Sequence, residues 1–164
     1  VTVRPLTPAD LPRVLELNQG ALPAVSPLGL EALERLVAQC SMALGVEAPD
    51  GSATAGELAG FCLVLEPGAD YGSGNYRWFS ERYDSFVYLD RVVVDEAHRG
   101  QGLGRALYEE VEQLATAPLF TLEVNLRPRN DGSLAFHAAL GFTEVGQQET
   151  DYGYLVSMQA KPLG

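Results

Sequence analysis

The stretch VVVDEAHRGQGLGRALYEEV, Val92 to Val111, decides how this chain is read. β-Branched residues close on an acidic turn, and Arg99 is followed by glycine at positions 100, 102 and 104. The chain then enters an amphipathic run on Leu103, Leu107, Val111 and Leu114. The first part has strand character and the last has helical period. Glycine at alternate positions strips the Cβ atoms from one short segment, as a phosphate, a packed neighbour or a tight turn would require. A strand that hands over to a helix through glycines points backbone N–H groups and the positive helix end at one place, which suits an anion. Arg99 and Arg105 add charge at either end, so a diphosphate is the natural ligand.

Two other phosphate loops fit less well. A nucleoside triphosphate loop ends in Gly-Lys-Ser/Thr, and Gly104-Arg105-Ala106 supplies neither the lysine nor the hydroxyl. A dinucleotide fingerprint reads G-x-G-x-x-G with an acid about 20 residues on. The spacing here is G-x-G-x-G, although Glu123 stands near that distance. For the glycines alone, a purely structural turn stays open.

Composition narrows the classes further. The 164 residues, 46% of them hydrophobic, suffice for one domain, 1–164, with its own core. Eleven Lys+Arg against 22 Asp+Glu leave a net charge of −11, which argues against nucleic-acid and anionic-membrane partners. A neutral or cationic small substrate fits better. Cys40 and Cys62 are too far apart for a CxxC motif and are expected as free thiols, and no metal site is expected. No run approaches a membrane span, and the first residues lack a basic-then-apolar pattern, so a soluble cytoplasmic protein is expected.

The rest of the chain supplies the surroundings. Val1 to Leu6 reads as an edge strand, and TPADLPRVLELNQGAL as a helix with Thr7 as cap and an apolar stripe on Leu11, Leu15 and Leu22, interrupted by Asn18. Ser26-Pro27 signals a second helix on Leu30, Leu33, Leu36 and Val37. Met42 to Glu47 and LAGFCLVLE form a hairpin, and PGADYGSGNYRWFSER, 67 to 82, reads as a long loop. FVYLDRVVVD and TLEVNL are strands on either side of the glycine loop and its helix. SLAFHAAL is a short helix stopped by Gly141, and FTEVGQQ and YGYLVSMQA are a final strand pair.

Read together, the C-terminal half resembles the GNAT superfamily of N-acetyltransferases. Val92 to Val94 followed by Arg99-Gly100-Gln101-Gly102-Leu103-Gly104 resembles its V-x-V strand end and R/Q-x-x-G-x-G/A loop. Asn130, then SLAFHAAL, then Gly141-Phe142 resembles its N-x-x-x-x-x-x-Y-x-x-x-G-F signature, with His137 where tyrosine is usual. RPLTPADLPRVLELN and SLAFHAALGF are similar to a bacterial branch of the superfamily.

The resemblance implies an α/β (α+β) fold with a mixed sheet of six to seven strands, splayed between 86–94 and 121–126, and about four helices. It also implies acetyl-CoA as co-substrate. The pantetheine arm would bond backbone groups near Val92 to Val94, the diphosphate would lie on residues 99 to 105 including Arg105, and Asn130 and His137 would sit near the cofactor. The implied activity is direct transfer of acetyl to a primary amine of a small molecule or a peptide end.

The replacement of tyrosine by His137 admits two parts, an acid for the departing thiolate or a group that only contacts the cofactor. It also admits a second class, an acyl-CoA-binding sensor without catalysis. A dinucleotide-binding oxidoreductase is a third reading and would need a longer parallel sheet.

Alternation along TLEVNL sets Leu122, Val124 and Leu126 on one face, leaving Glu123 and Asn125 on the other. Glu123 is the first candidate base and Asp90 the second. Asp90 and Arg91 interrupt an apolar strand, however, and a structural ion pair is the alternative there. Asn18, Ser26, Tyr76, Trp78, Glu81 and Tyr83 are the candidates for the acceptor pocket. The aromatics could equally form a folded loop's own core or a dimer contact, and a homodimer is compatible with the sequence.

Overall fold

In a computed structural model that describes residues Val1–Gly164, the chain forms one seven-stranded sheet and five α-helices. The elements are β1 (Val3–Pro5), α1 (Leu11–Gly20), α2 (Leu30–Gln39), β2 (Met42–Glu47), β3 (Leu58–Leu65), α3 (Gly74–Ser80) and β4 (Val87–Val94). They continue with α4 (Leu103–Leu114), β5 (Leu119–Arg127), α5 (Asp131–Leu140), β6 (Thr143–Glu149) and β7 (Leu155–Pro162). The strand order is β1-β2-β3-β4-β5-β7-β6. β4 and β5 are parallel, and the pairs β1–β2, β2–β3, β5–β7 and β6–β7 are antiparallel, which is a mixed sheet and not that of a dinucleotide fold. The residues gather into two compact units, Val1–Leu65 with Asp90–Leu114 and Glu66–Leu89 with Ala115–Gly164.

In the first unit β3 is buried along its whole length, as its unbroken apolar run LAGFCLVL predicts. α1 packs on β3 and α2, and α4 packs on β1, β2 and β3 through Leu103, Leu107, Tyr108 and Val111. The buried face of α1 is Leu11, Val14, Leu17 and Asn18, not the expected Leu11, Leu15 and Leu22. The helix ends at Gly20, so Leu22 lies beyond it and is exposed. α2 begins at Leu30 after Gly29, and the expected start at Ser26-Pro27 is wrong because Ser26 is engaged elsewhere. Cys40 and Cys62 are free, and burial pushes both thiols up to about 12, so neither is a ready nucleophile.

In the second unit β7 lies between β5 and β6, with Leu122 opposite Gln159 and Glu123 opposite Met158. α5 closes on Gly141 at φ 98, the left-handed conformation expected of its C-terminal glycine. The Phe142 ring packs edge-on against Phe120 and His137. Residues 67–82, expected as a loop, contain α3, which starts at the Ser73 hydroxyl cap and buries Asn75, Tyr76, Trp78 and Phe79. A seven-residue helix has too few turns to show a period, and tertiary burial decides it.

Trp78 lies flat over Gly146, where an added Cβ would collide with the indole, and Arg82 covers the ring at 3.8 Å. We expect Gly146→Ala to destabilise the protein by about 1–3 kcal/mol through overpacking. Trp78→Ala should cost about 3–5 kcal/mol. In urea unfolding the double variant should lose less than the sum of the two.

Candidate active site

The first unit builds the glycine loop from the end of β4. The Asp95 N–H donates to the Ala59 carbonyl at 2.7 Å, and the Asp95 carboxylate accepts from the Ala97 N–H at 3.2 Å and from Arg13 at 2.8 Å. The Ala97 N–H, with Arg13 behind it, holds that carboxyl below its usual range. His98 is buried between Thr54 and Gln101, with Nε2 at 3.1 Å from Thr54 Oγ1 and Nδ1 at 3.2 Å from Gln101 Oε1. A carboxamide oxygen only accepts, so Nδ1 carries the proton and Nε2 accepts from the threonine hydroxyl.

Gly100 and Gly102 both have φ +78, and nothing lies within 4 Å of a Cβ built on either. A packed neighbour is therefore not their reason. The turn needs left-handed residues, and the space beside them is open. α4 begins at Leu103, and the first helical bond from Ala106 reaches Gly102 at 3.0 Å. The N–H groups of Leu103, Gly104 and Arg105 precede that bond and have no carbonyl to meet within the helix. Arg99, Gln101 and Arg105 are exposed beside them, and β4 brings in Val92, Val93 and Val94, with Val93 buried. Backbone donors, a positive helix end and two guanidiniums fit the diphosphate of a CoA thioester.

Earlier in the chain, on β4, Arg91 forms a buried network. Its Nε donates to Asp90 at 2.8 Å, with both side chains 6% exposed. Nη1 donates to Asn18 Oδ1 and to the Ser26 carbonyl at 3.0 Å each, and Nη2 to Ser26 Oγ at 2.9 Å. The Asn18 amide donates to the same Ser26 carbonyl at 3.0 Å. Of the two parts open to Asp90, this geometry is that of the structural ion pair. Asn18 is wholly buried, and its carboxamide is used within the protein.

In the second unit the Tyr88 hydroxyl donates to Glu123 Oε1. Tyr88 is parallel-paired with Thr121, so it shares the face that alternation assigned to Glu123. Tyr76 and Phe79 of α3 pack on the Tyr88 ring at 5.6 and 5.8 Å. Tyr152, in the turn before β7, accepts from Asn75 at 3.3 Å, and partial burial, with the Glu123 charge behind it, raises its phenol above the ordinary value. Sequence reasoning missed Tyr88, Tyr152 and Asn75. For Tyr88 the signal was its place on the strand beside the one bearing Glu123, and for the other two there was none.

The other candidates are placed differently. Trp78 spends its ring on Gly146 and Arg82, Tyr83 stacks on Phe79, and the Tyr76 hydroxyl donates to the Glu66 carbonyl at 2.5 Å. These contacts lie within the second unit and reach beyond residues 67–82 to β6. Glu81 is exposed. Asn130 caps α5, its Oδ1 accepting from the Ser133 N–H at 3.1 Å. His137 is buried, and its Nδ1 lies 2.7 Å from the Ser133 carbonyl. Nδ1 therefore carries the proton in the neutral ring, and burial holds its pKa below the ordinary 6.5. No group of three or more His, Cys, Asp or Glu side chains could hold a metal ion, and no helix is long and apolar enough to cross a membrane.

A mixed sheet with an open glycine loop on a helix N-terminus fits an acyl-CoA-dependent transferase. Residues 18–142 match the model of the acetyltransferase (GNAT) family, and the chain belongs to that family. Its class is that of the acetyl-CoA-dependent N-acetyltransferases.

Among its relatives, an N-alpha-acetyltransferase RimI of Mycobacterium tuberculosis is 29% identical over 93% of this chain and 84% of its own length. An uncharacterized protein of Mycobacterium leprae is 26% identical over 93% of this chain, which spans 37% of that protein's length. The structure of Arabidopsis thaliana NAA60 in complex with acetyl-CoA superimposes with a TM-score of 0.76 at 18% identity, over 99% of this chain and 98% of that one.

Gly102→Ala places a Cβ at a left-handed position and should weaken acetyl-CoA binding by roughly tenfold in calorimetry, the equivalent of ~1.4 kcal/mol. His137 should also shape stability against pH. Its folded pKa lies below the unfolded 6.5, so the stability it contributes is complete above that pH and is lost as the pH falls towards the folded value. Urea midpoints measured across this window should fall with acid more steeply in the wild type than in His137→Phe.

Proposed function

We propose that this chain acetylates the free α-amine at the end of a peptide or protein, with Glu123 as the base. The observation that carries the assignment is the Tyr88–Glu123 pair on one face of β4 and β5. The similarity to a RimI N-alpha-acetyltransferase supports an α-amine as the acceptor.

An α-amine has an ordinary pKa near ~8, so most of it is protonated at neutral pH, and a carboxylate acting directly or through one water is base enough. When bound, acetyl-CoA supplies the thioester whose carbonyl carbon the amine nitrogen attacks. In this reading Arg99, Arg105 and the N–H groups from Gly100 to Arg105 hold the diphosphate. Main-chain groups of Val92 to Val94 hold the pantetheine arm and aim the thioester carbonyl. Glu123 accepts the proton the ammonium gives up. Tyr88 fixes the direction of the carboxylate. His137 holds position with Nδ1 tied to the Ser133 carbonyl and keeps its proton off Nε2, so the proton that neutralises the CoA thiolate comes from solvent.

The test is CoA thiol release with short peptides of varied first residue, their N-terminally blocked counterparts, and small primary amines. Free peptides should release CoA and gain one acetyl group by mass, and blocked ones should not. Glu123→Gln should lower kcat/KM for the peptide by ~10²–10⁴ and leave acetyl-CoA affinity intact. Acetyl-CoA binding without release on any amine would favour the sensor reading.

A further inference from the structure

We propose that Arg91 is a positioning residue that locks the connection between α1 and α2 into one wall of the acceptor site, an inference that rests on the transferase reading above. Residues 21–29 include two prolines, Pro23 and Pro27, and form neither helix nor strand before α2, so main-chain ladders do not hold them. The hold comes from side chains. Arg91 reaches Ser26 through both its carbonyl and its hydroxyl, and Asn18 supports the same carbonyl from α1.

Arg91 directly precedes Val92, where the proposed thioester-binding segment of β4 begins. The connection is thereby fixed beside that segment, and an amine that attacks the thioester must come up next to it. Arg91 does no chemistry itself. A guanidinium has no acceptor and does not lose its proton in proteins, and the donors of this one already serve Asp90, Asn18 and Ser26.

Stability alone is a poor reason for this arrangement. Burying a guanidinium and a carboxylate costs desolvation, and well-packed apolar residues in place of such a pair are often as stable or more so. The pair holds one geometry. Its planar fork spreads donors over three nitrogens in fixed directions, which the single ammonium of a lysine does not reproduce. The acceptor therefore meets a preformed wall and does not have to order a loose one, and the gain appears in acceptor affinity.

Two variants test the clamp in the full chain. Asp90→Asn with Arg91→Met removes the charges together, so that neither is left buried alone, and Asn18→Ala keeps the ion pair but removes the brace. We expect KM for a reactive peptide to rise by ~10-fold in the first and by ~3-fold in the second, with kcat and KM for acetyl-CoA within about 2-fold of wild type. Amide hydrogen exchange should speed up across residues 21–29 and stay unchanged in β3 and α4. Arg91→Lys keeps the charge beside Asp90 and should not restore the peptide KM.

Faster exchange in 21–29 with an unchanged peptide KM overturns the acceptor wall. Unchanged exchange overturns the clamp. A parallel fall in every kinetic constant together with Tm makes the network structural only. A wild-type protein that acetylates no amine instead removes the transferase reading, and the exchange measurement then decides the clamp by itself.

Discussion

The carbonyl oxygen of Val93 comes so near to Gly60 of β3 that a Cβ at position 60 would lie 2.8 Å from it. Glycine inside a fully buried strand weakens it, and here the missing side chain marks a close approach of two backbones. The next bond along the chain, from Asp95 N–H to the Ala59 carbonyl, ties the exit of β4 to the same place. Position and direction of the glycine loop follow from this seating. Asp95 then gathers Arg13 and the Ala97 N–H, and His98 bridges Thr54 to Gln101. Through these short contacts the loop is held on its inner side while Gly100 and Gly102 face open space. A loop built this way is ordered before any ligand arrives, so binding there does not have to bear the entropy of ordering it.

The second unit solves a different problem, which is to present a carboxylate without burying it alone. Alternation along β5 turns Leu122 and Val124 into the core and leaves Glu123 half-buried on the other face. Tyr88 donates to it from the neighbouring strand. α3 then serves the carboxylate indirectly, because Tyr76 and Phe79 pack the Tyr88 ring while Asn75 holds the Tyr152 hydroxyl and accepts from Gln148 at 2.9 Å. A short helix thereby packs the Tyr88 ring and bonds the Tyr152 hydroxyl.

What the sequence disclosed follows the reach of each signal. The glycine loop, the helix after it, the final hairpin and the Gly141 stop were legible because each rests on local rules of period, conformation and capping. Glu123 was legible through strand alternation. α3 was not, since its order comes from Trp78 meeting Gly146 and Asn75 meeting Gln148, partners about 70 residues away. The apolar stripe of α1 was mis-set for a related reason. Leu15 and Leu22 fit a helical spacing, but the end at Gly20 and the pull of Arg91 on Asn18 rotate Val14 and Leu17 into the core instead. Asp90 and Arg91 point to opposite sides of an extended strand, and the long guanidinium stem folds back to pair them. Side-chain reach of this kind leaves no trace in spacing.

His137 shows why residue type alone does not assign a proton. Histidine in place of a tyrosine suggests a stronger acid, yet an acid must hold its proton on the atom that faces the base. Here the Ser133 carbonyl claims the Nδ1 proton at 2.7 Å, and burial disfavours a second one on Nε2. The ring is thus neutral, with its remaining lone pair on Nε2, which makes it an acceptor in the resting protein. A tyrosine at this position would carry its only proton on the outer oxygen. The two residues differ in the direction in which they offer a hydrogen bond, so one cannot stand in for the other as a proton donor without a change of partners.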